Sequence, residues 1–333
     1  MRILLLGGSG LLSSAARRAF VRAGHDVSVL TRGERPVAPG VRHLRADRRD
    51  AALLRAALEG ERFDFTADFL AFGGGDVERL LAVPRFSPGR LVAISSGQVY
   101  LVTATPEPPF REEAAERPLM GEPAAGTRGH DEWKYGMGKR AMEAALARAT
   151  GLEALALRIP VVQGEEDRDS SRRLWAWIER MLDGGPVLLP ENGRQVVRFV
   201  YAGDVADALL ALAGAPAWPA ERALNFAQPD ELPLREFVER VAVLADASPR
   251  FVDVDRATLE RAGLADSCAP YWGRWCSRPD PARAIEQLGV RPHGVAEYLP
   301  RVVRAHLDSP RPASHPGYAR RAEEIALARA LGA

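Results

Sequence analysis

Short apolar runs alternate with amphipathic segments along the first half of the chain. The runs have the length and side-chain types of buried strands, and the segments between them repeat apolar residues at helical spacing. Predicted strands lie at 3–6, 27–30, 41–44, 63–70 and 91–94, and predicted helices at 11–23, 50–58 and 76–81. Strands that alternate with helices favour a parallel sheet with helices on both faces. The pattern therefore predicts an α/β, doubly wound fold.

The second half has a less regular pattern. Residues 103–129 are rich in Pro, Glu and Gly, which predicts a long surface loop. After that loop, helices are predicted at 133–149, 170–182, 204–213 and 320–331, and strands at 154–159 and 196–201. The chain thus continues as a mixture of helices and short strands.

The formal net charge is only +1, from 45 Lys and Arg against 44 Asp and Glu. A chain without excess basic charge is not drawn to nucleic acid or to an anionic membrane, so both are disfavoured as partners. The apolar runs are interrupted by Arg or Glu well before the roughly 20 residues that a membrane span needs. The first run ends at Gly7 and Gly8 without a cleavage-type sequence, which predicts a strand and not a signal peptide.

Two cysteines, Cys268 and Cys276, lack the spacing of a metal site. Neither a disulfide framework nor a zinc site is expected from them. This cysteine usage fits a reducing compartment, and a cytoplasmic location is expected.

A glycine-rich turn follows the first predicted strand and precedes the first predicted helix, which is the setting of a dinucleotide site. Glycines let the backbone approach a pyrophosphate, and the N–H groups at the start of the helix point at it. Ser13 stands where a third glycine is usual and is nearly as small. A tight turn without a ligand is the alternative. The predicted cofactor contacts here are Gly7, Gly8, Ser9, Gly10, Leu11 and Leu12.

The end of the second predicted strand indicates which dinucleotide is bound. NAD sites carry an Asp or Glu there for the ribose hydroxyls, whereas Thr31 is followed here by Arg32 and, three residues later, by Arg35. Guanidinium groups pair well with phosphate oxygens. We therefore predict that Thr31, Arg32 and Arg35 contact the 2′-phosphate end of the cofactor, and NADP(H) is favoured over NAD(H). An exposed loop in an arginine-rich protein is the alternative.

Tyr135 and Lys139 lie four residues apart in a predicted helix and hence on one face of it. A nearby ammonium lowers the pKa of a phenol and makes it a better proton donor and acceptor near neutral pH. All but two of the 45 basic residues are arginine, and the two exceptions, Lys134 and Lys139, both lie in this segment. A lysine where the chain would ordinarily use arginine favours a specific role for its compact head group.

Ser95 and Ser96 end the strand predicted before this helix. The carboxyl ends of parallel strands are where open α/β sheets bind ligands. The Ser96 hydroxyl is therefore a candidate partner for a substrate carbonyl oxygen, and a serine-rich turn without function is the alternative.

Taken together, these features resemble divergent members of the extended short-chain dehydrogenases/reductases, in the NAD-dependent epimerase/dehydratase family. The resemblance implies a Rossmann-type doubly wound parallel sheet with a smaller C-terminal substrate domain. It covers roughly residues 2–213 and rests on the glycine turn, Asp47-Arg48, Ser95-Ser96 before Val99-Tyr100, Tyr135 with Lys139, Leu157-Arg158-Ile159-Pro160, and Arg198-Phe199-Val200-Tyr201 leading to Asp204.

Individual residues acquire roles from this resemblance. It implies that Ser96 and Tyr135 flank the substrate oxygen, and that Lys139 binds the nicotinamide ribose and tunes Tyr135. It places Asp47 and Arg48 near the adenine. It also implies cofactor contacts from Phe69, Leu70, Ala71, Ile94 and Ile159, and no metal site.

Domain organisation follows from the resemblance as well. Residues 1–160 are expected to form the dinucleotide-binding domain, with residues 196–230 returning to it. Residues 161–195 and 231–318 are expected to form the substrate-binding domain, and residues 319–333 a C-terminal helix. Family dehydratases usually carry an Asp–Glu pair where this chain has Gly97 and Gln98, which disfavours dehydration.

Three functions remain in competition. The favoured one is an NAD(P)-dependent oxidoreductase that acts on a carbonyl or secondary alcohol of a small-molecule substrate, with Tyr135 as acid and base. The second is a sugar-nucleotide-type epimerase that uses bound NAD(P). The third is a non-catalytic dinucleotide-binding or RNA-binding regulatory protein, as some divergent family members are. The sequence leaves homodimer formation open.

Overall fold

The computed structural model of the protein describes residues 1–34, 36–308 and 310–332, and the chain divides into two compact units. Each unit is assembled from three segments of the chain. Unit 1 comprises Met1–Val162, Val200–Ala227 and Ser277–Pro292, and unit 2 comprises Gln163–Phe199, Gln228–Cys276 and His293–Ala333.

The strands are numbered in chain order. They are β1 Arg2–Leu6, β2 Asp26–Thr31, β3 Arg42–Arg45, β4 Phe65–Asp68, β5 Arg90–Ser96, β6 Ala154–Ile159, β7 Val161–Gln163, β8 Val187–Pro190, β9 Val196–Val197, β10 Phe199–Tyr201, β11 Ala223–Asn225, β12 Leu232–Pro233 and β13 Phe251–Val254.

The helices are numbered in the same way. They are α1 Leu11–Arg22, α2 Ala51–Leu58, α3 Gly74–Leu81, α4 Gln98–Leu101, α5 Arg128–Arg148, α6 Arg173–Leu182, α7 Ala202–Gly214, α8 Leu234–Leu244, α9 Arg256–Arg261, α10 Ala282–Leu288, α11 Val295–Leu307 and α12 Arg321–Ala330. Short 3₁₀ helices lie at Glu112–Glu116, Glu165–Asp169, Glu191–Gly193 and Pro316–Arg320.

The described strands of unit 1 form a seven-stranded sheet in the order β11-β6-β5-β4-β1-β2-β3. Each neighbouring pair in it is parallel. Strand order reverses at β1, which has β2 on one side and β4 on the other, and open sheets of this kind bind ligands at the carboxyl ends beside such a switch. The prediction of a Rossmann-type doubly wound parallel sheet is confirmed.

Alternating side chains of the strands carry the core to both faces of this sheet. Ile3 and Leu5 of β1 pack in a cluster with α1 and α7, which contributes Leu209 among others. Leu4 and Leu6 point to the opposite face, where they join side chains from α2. This period of two, with helices on each side, explains why the strands read as continuous apolar runs.

Residues 277–292 differ from the expected domain assignment, which places them in the smaller domain. In the structure they belong to unit 1. The Phe110 N–H donates to the Arg278 carbonyl at 2.9 Å, and Ala284 packs in the same core as β1 and α1. Contacts between segments so distant in sequence leave no trace in local hydrophobic patterns.

Several predicted elements differ in detail. The strand predicted at 196–201 is interrupted at Arg198 and forms two short strands, β9 and β10. The loop predicted at 103–129 contains the 3₁₀ helix Glu112–Glu116, and helix α5 begins at Arg128, five residues before the predicted start. The Thr127 hydroxyl fixes that start by accepting the His130 N–H at 3.2 Å, which is an N-cap interaction.

Unit 2 contains smaller strand pairs and most of the later helices. Strand β8 pairs in parallel with β13, and β9 pairs antiparallel with β12. Helix α12 is tied into this unit by the fully buried ion pair of Arg180 and Glu324, whose atoms approach to 2.7 Å. Among the helices that the structure describes, none has both the length and the apolar character for crossing a membrane.

Candidate active site

The glycine turn joins β1 to α1 at the switch point of the sheet. Gly7 has φ +104°, a conformation that residues with a side chain rarely adopt. Its N–H donates to the Leu30 carbonyl at 3.0 Å, which fixes the turn against β2. The Ser13 hydroxyl accepts the Gly10 N–H at 3.1 Å. Ser13 therefore stabilises the helix start in addition to filling the place of a third glycine.

The space beside Gly10 is open. A Cβ at Gly10 would have only the Ser13 hydroxyl within 4 Å, at 3.6 Å. Gly7 faces the other side of the switch point, where a Cβ would be 3.5 Å from both Phe69 and Leu70 side-chain atoms. The structure thus brings the glycine turn together with Phe69 and Leu70, two predicted cofactor contacts, which follow the end of β4.

The tip of β2 is exposed and carries its own ion pair. The Arg32 guanidinium donates to the Glu34 carboxylate at 3.1 Å, and their side chains are 64% and 66% exposed. Thr31 at the end of β2 contacts His43 of β3, with 2.8 Å between the hydroxyl and Nε2. The predicted contact residue Arg35 lies outside the described residues.

A second arginine, Arg45, stands at this tip and was not among the predicted contacts. Its Nε donates to the Arg32 carbonyl at 3.1 Å. Thr31 and Arg45 are register partners at the ends of β2 and β3. Arg45 could have been placed beside Arg32 from the sequence only if the pairing of β2 with β3 had been predicted correctly.

Arg48 is held by two acidic residues, Asp68 at the end of β4 and Asp76 in α3. It is buried, and its guanidinium donates to the Asp68 carboxylate at 2.5 Å and to the Asp76 carbonyl at 3.0 Å. Its proximity to the adenine stays a prediction. Asp47 caps the following turn by accepting the Arg49 N–H at 2.9 Å.

Lys139 is buried beneath the carboxyl end of the sheet. Its ammonium donates to the Ala71 carbonyl at 2.7 Å and to the Ile94 carbonyl at 2.8 Å, so it joins the ends of β4 and β5. Burial lowers the pKa of Lys139 to about 8, against the opposing charge of Asp68. Two of the predicted cofactor-lining residues, Ala71 and Ile94, are thus the residues that hold the predicted catalytic lysine.

Tyr135 and Lys139 share one face of α5, as predicted, and Phe72 lies beside them. The Lys139 Nζ is 5.7 Å from the centre of the Tyr135 ring and 4.8 Å from that of the Phe72 ring. The two rings are 6.3 Å apart, and Tyr135 and Phe72 are 38% and 49% exposed. The buried ammonium is therefore covered by two aromatic rings that themselves reach solvent.

Two glycines in α5 allow this arrangement. A Cβ at Gly136 would lie 2.6 Å from a Val102 methyl and 2.9 Å from the Gln98 carbonyl, and one at Gly138 would lie 2.4 Å from the Phe72 carbonyl. Each glycine in a helix costs up to about 1 kcal/mol relative to alanine. Here the absence of side chains lets α4 and the Phe72 segment approach the helix on both sides of Tyr135.

Ser96 ends β5, and its hydroxyl accepts the Gln98 N–H at 3.2 Å. The buried Gln98 side chain donates to the Glu132 carboxylate on α5 at 2.5 Å. Glu132 lies three residues before Tyr135 and hence on a neighbouring position of the same helix surface. Ile159, at the end of β6, accepts the Gly97 N–H at 2.8 Å.

Phe72, Glu132 and Arg45 contact the candidate site residues or their neighbours, but local patterns did not single them out. Each acquires its place through a contact with a different element, so periodicity within one element carries no signal for it. The glycines on either side of Met137 were the one local sign of the close approach around Tyr135.

Comparison with known proteins gives one family match and relatives of low sequence identity. The model of the NAD dependent epimerase/dehydratase family matches residues 3–227. The chloroplast stem-loop binding protein of 41 kDa b of Arabidopsis thaliana is 26% identical in an alignment of 229 positions, which covers 64% of this chain and 55% of that protein. The 2′-dehydrokanamycin reductase of Streptomyces kanamyceticus is 28% identical in an alignment of 255 positions, which covers 72% of this chain and 66% of that protein. The chain thus matches less than two thirds of either relative's length.

A solved structure extends the similarity over most of the chain. The UDP-glucose 4-epimerase of Thermus thermophilus, in complex with NAD, has a TM-score of 0.69 and 22% identity. The match covers 93% of this chain and 100% of that one. At 22% identity, this similarity in structure shows that the two chains share a fold.

Proposed function

The chain belongs to the NAD-dependent epimerase/dehydratase family, and on that premise we propose that it is an NADP(H)-dependent oxidoreductase acting on a carbonyl or secondary alcohol. On this proposal it is an enzyme of the short-chain dehydrogenase/reductase type with a nicotinamide dinucleotide cofactor. The observation that carries the proposal is the burial of Lys139 between the ends of β4 and β5, next to Tyr135. Unit 2 is proposed as the substrate-binding domain.

The chain's own residues have the properties that such a cofactor requires. Gly10 leaves open space at the start of α1, where helix N–H groups favour the negative charge of a pyrophosphate. Phe69 and Leu70 lie against this turn. When bound, the nicotinamide supplies or accepts the hydride.

Proton transfer is the task of Tyr135 in this proposal. The residue is 38% exposed, so its side chain can be reached by a substrate. The Lys139 ammonium, 5.7 Å from the centre of the ring, favours the negative charge that develops on the oxygen when Tyr135 gives up its proton. Ser96 holds the substrate oxygen by a hydrogen bond from the carboxyl end of β5, which places the oxygen for the transfer.

The first experiment is a fluorescence titration of the purified protein with NADPH and with NADH. Selective NADPH binding is the expected result, because Arg32 presents an exposed guanidinium at the tip of β2. Preference for NADH would contradict the assignment of Arg32 and favour the epimerase. Binding of neither dinucleotide would contradict the proposed function itself.

Replacing Arg32 by serine is expected to weaken NADPH binding by about tenfold and to leave NADH binding unchanged. The lost interaction is a charge-assisted hydrogen bond to phosphate, reduced here by exposure and by competition from Glu34. Arg22→Ser is the matched control, since Arg22 ends α1 at the opposite end from the glycine turn. Equal losses for both dinucleotides in Arg32→Ser would remove Arg32 from phosphate recognition.

Epimerase chemistry is the second candidate, and the NAD complex of the Thermus epimerase favours testing it. An epimerase oxidises and reduces its substrate within one cycle, so its cofactor is not consumed. The name of the Streptomyces relative, a reductase, favours net consumption. Cofactor that copurifies with the protein and is not consumed during turnover would decide for epimerisation.

RNA binding is the third candidate, and the name of the Arabidopsis relative is the reason to test it. Filter binding of a stem-loop RNA at two salt concentrations distinguishes the cases, since binding to phosphates weakens steeply with salt. The net charge of +1 leads us to expect weak binding. Tight, salt-dependent binding together with no affinity for NADPH or NADH would favour a regulatory protein.

A further inference from the structure

Glu143 continues the row of side chains that begins with Tyr135 and Lys139. The three residues follow one another at intervals of four along α5 and therefore lie on one face of the helix. The Glu143 side chain is 13% exposed and carries a carboxylate. The sequence offers no reason for a charge at this position, which faces the sheet.

The carboxylate is held by two strands of the sheet. Arg158 of β6 binds it with two hydrogen bonds, from Nε at 2.9 Å and from a terminal nitrogen at 2.7 Å. The Ser95 hydroxyl of β5 donates to it at 2.5 Å. Ser95 and Arg158 are register partners in the sheet, so one carboxylate connects α5 with two adjacent strand positions.

The other groups of this cluster are also satisfied. Arg158 donates to the Tyr100 hydroxyl at 3.0 Å and to the Glu112 carbonyl at 2.8 Å, and Tyr100 donates in turn to Asn225 at 2.6 Å. Burial raises the pKa of Tyr100 to about 12, so its hydroxyl stays protonated in this cluster. A buried ion pair with its hydrogen bonds complete defines one geometry and resists displacement.

A buried ion pair alone does not indicate a role in function, because such pairs also occur as purely structural contacts. The location of this one does. Ser95 is the neighbour of Ser96 in β5, and Glu143 is one helical turn from Lys139. The cluster thus joins the two elements that carry the proposed catalytic groups.

We propose that Glu143 is a positioning residue, which fixes the separation between Ser96 and the Tyr135–Lys139 pair by binding the ends of β5 and β6 from α5. The inference rests on the proposed function, since it concerns the same site. A misplacement of about 1 Å in an active site costs about a hundredfold in rate. Loss of the Glu143 contacts permits a shift of this kind between α5 and β5.

The test is Glu143→Gln, with Glu143→Asp as a second variant. The amide keeps the shape but turns an N–H group toward Arg158, and we expect turnover to fall by about tenfold to a hundredfold with KM little changed. The aspartate keeps the charge but is one methylene too short to bind Ser95 and Arg158 together, so a similar loss is expected. Glu78→Gln is the control, because Glu78 pairs with Arg148 of the same helix on the exposed surface.

A second readout needs no substrate. The chain contains only two lysines, so ¹³C labelling at lysine Cε yields two signals, with Lys134 as an internal reference. The charge of Glu143 raises the pKa of Lys139, so Glu143→Gln is expected to lower that pKa, whereas Glu143→Asp and Glu78→Gln are not. Glu143→Asp, which keeps the charge but not the reach, separates the two effects, because its turnover is expected to fall while the pKa of Lys139 stays unchanged.

The two proposals fail in different ways. Absence of NADPH and NADH binding to the natural protein would contradict the proposed function and leave the lysine signals to report on Glu143. Folded Glu143→Gln protein with unchanged turnover would overturn the positioning role. Full turnover in Glu143→Asp would overturn it as well, since that variant lacks the reach to hold both strands.

Discussion

Replacing Tyr135 by phenylalanine is expected to lower turnover by about two to four orders of magnitude. The substitution removes one hydroxyl, which is the group that exchanges a proton with the substrate oxygen in the proposed reaction. The ring remains, and with it the contacts to Phe72 and to the Lys139 ammonium. We therefore expect cofactor binding and thermal stability to be unchanged.

The measurement combines steady-state kinetics with an NADPH titration of the same preparation. Tyr318→Phe is the matched control, because it also removes one hydroxyl, here bonded to Asp183 in unit 2 at 2.9 Å. Turnover of that control is expected to stay near that of the natural protein. A Tyr135→Phe variant as active as the natural protein would show that another group carries the proton.

The sheet and the glycine turn were predictable because their signals are local. Continuous apolar runs report strands buried on both faces, and the turn at Gly7 lies between one such run and a helix. The four-residue spacing of Tyr135 and Lys139 is local in the same sense. The roles of these residues in binding and catalysis remain predictions, which the experiments above address.

The partners of the buried charges were not predictable, because they depend on contacts between distant segments. Arg48 binds Asp68, and Arg158 binds Glu143, across separations of 20 and 15 residues. In a chain that uses arginine almost everywhere, neither arginine is distinguished by its type. Only the packed sheet shows that these two are buried while Arg32 is exposed.

Replacing Lys139 by methionine is the second substitution for which we expect a large effect, of about two or more orders of magnitude in turnover. The ammonium that tunes Tyr135 is lost, whereas a side chain of similar length remains in the cavity. Lys134→Met is the matched control, since Lys134 is exposed on the same helix. Turnover of that control is expected to be unchanged.

The same substitution changes how stability depends on pH. Burial lowers the pKa of Lys139 to about 8 from its ordinary 10.5, so between these values the unfolded chain binds a proton that the folded chain does not. The free energy of unfolding therefore rises with pH in this window. Below pH 8 both states are charged, so the free energy of unfolding no longer changes with the titration of Lys139, and the full cost of burying the ammonium remains. Lys139→Met has no such group, so the rise belongs to the natural protein alone.

The informative quantity is the unfolding free energy of the natural protein minus that of Lys139→Met, from denaturant titrations between about pH 7 and pH 10.5. It is expected to increase by about 2–3 kcal/mol across the upper part of this range. Burial also raises the pKa of Tyr100 and Cys268 to about 12, which opposes stability at alkaline pH. These contributions are common to both proteins and cancel in the difference. A difference independent of pH would mean that Lys139 keeps an ordinary pKa in the folded protein, which would contradict the expected cost of burying its ammonium.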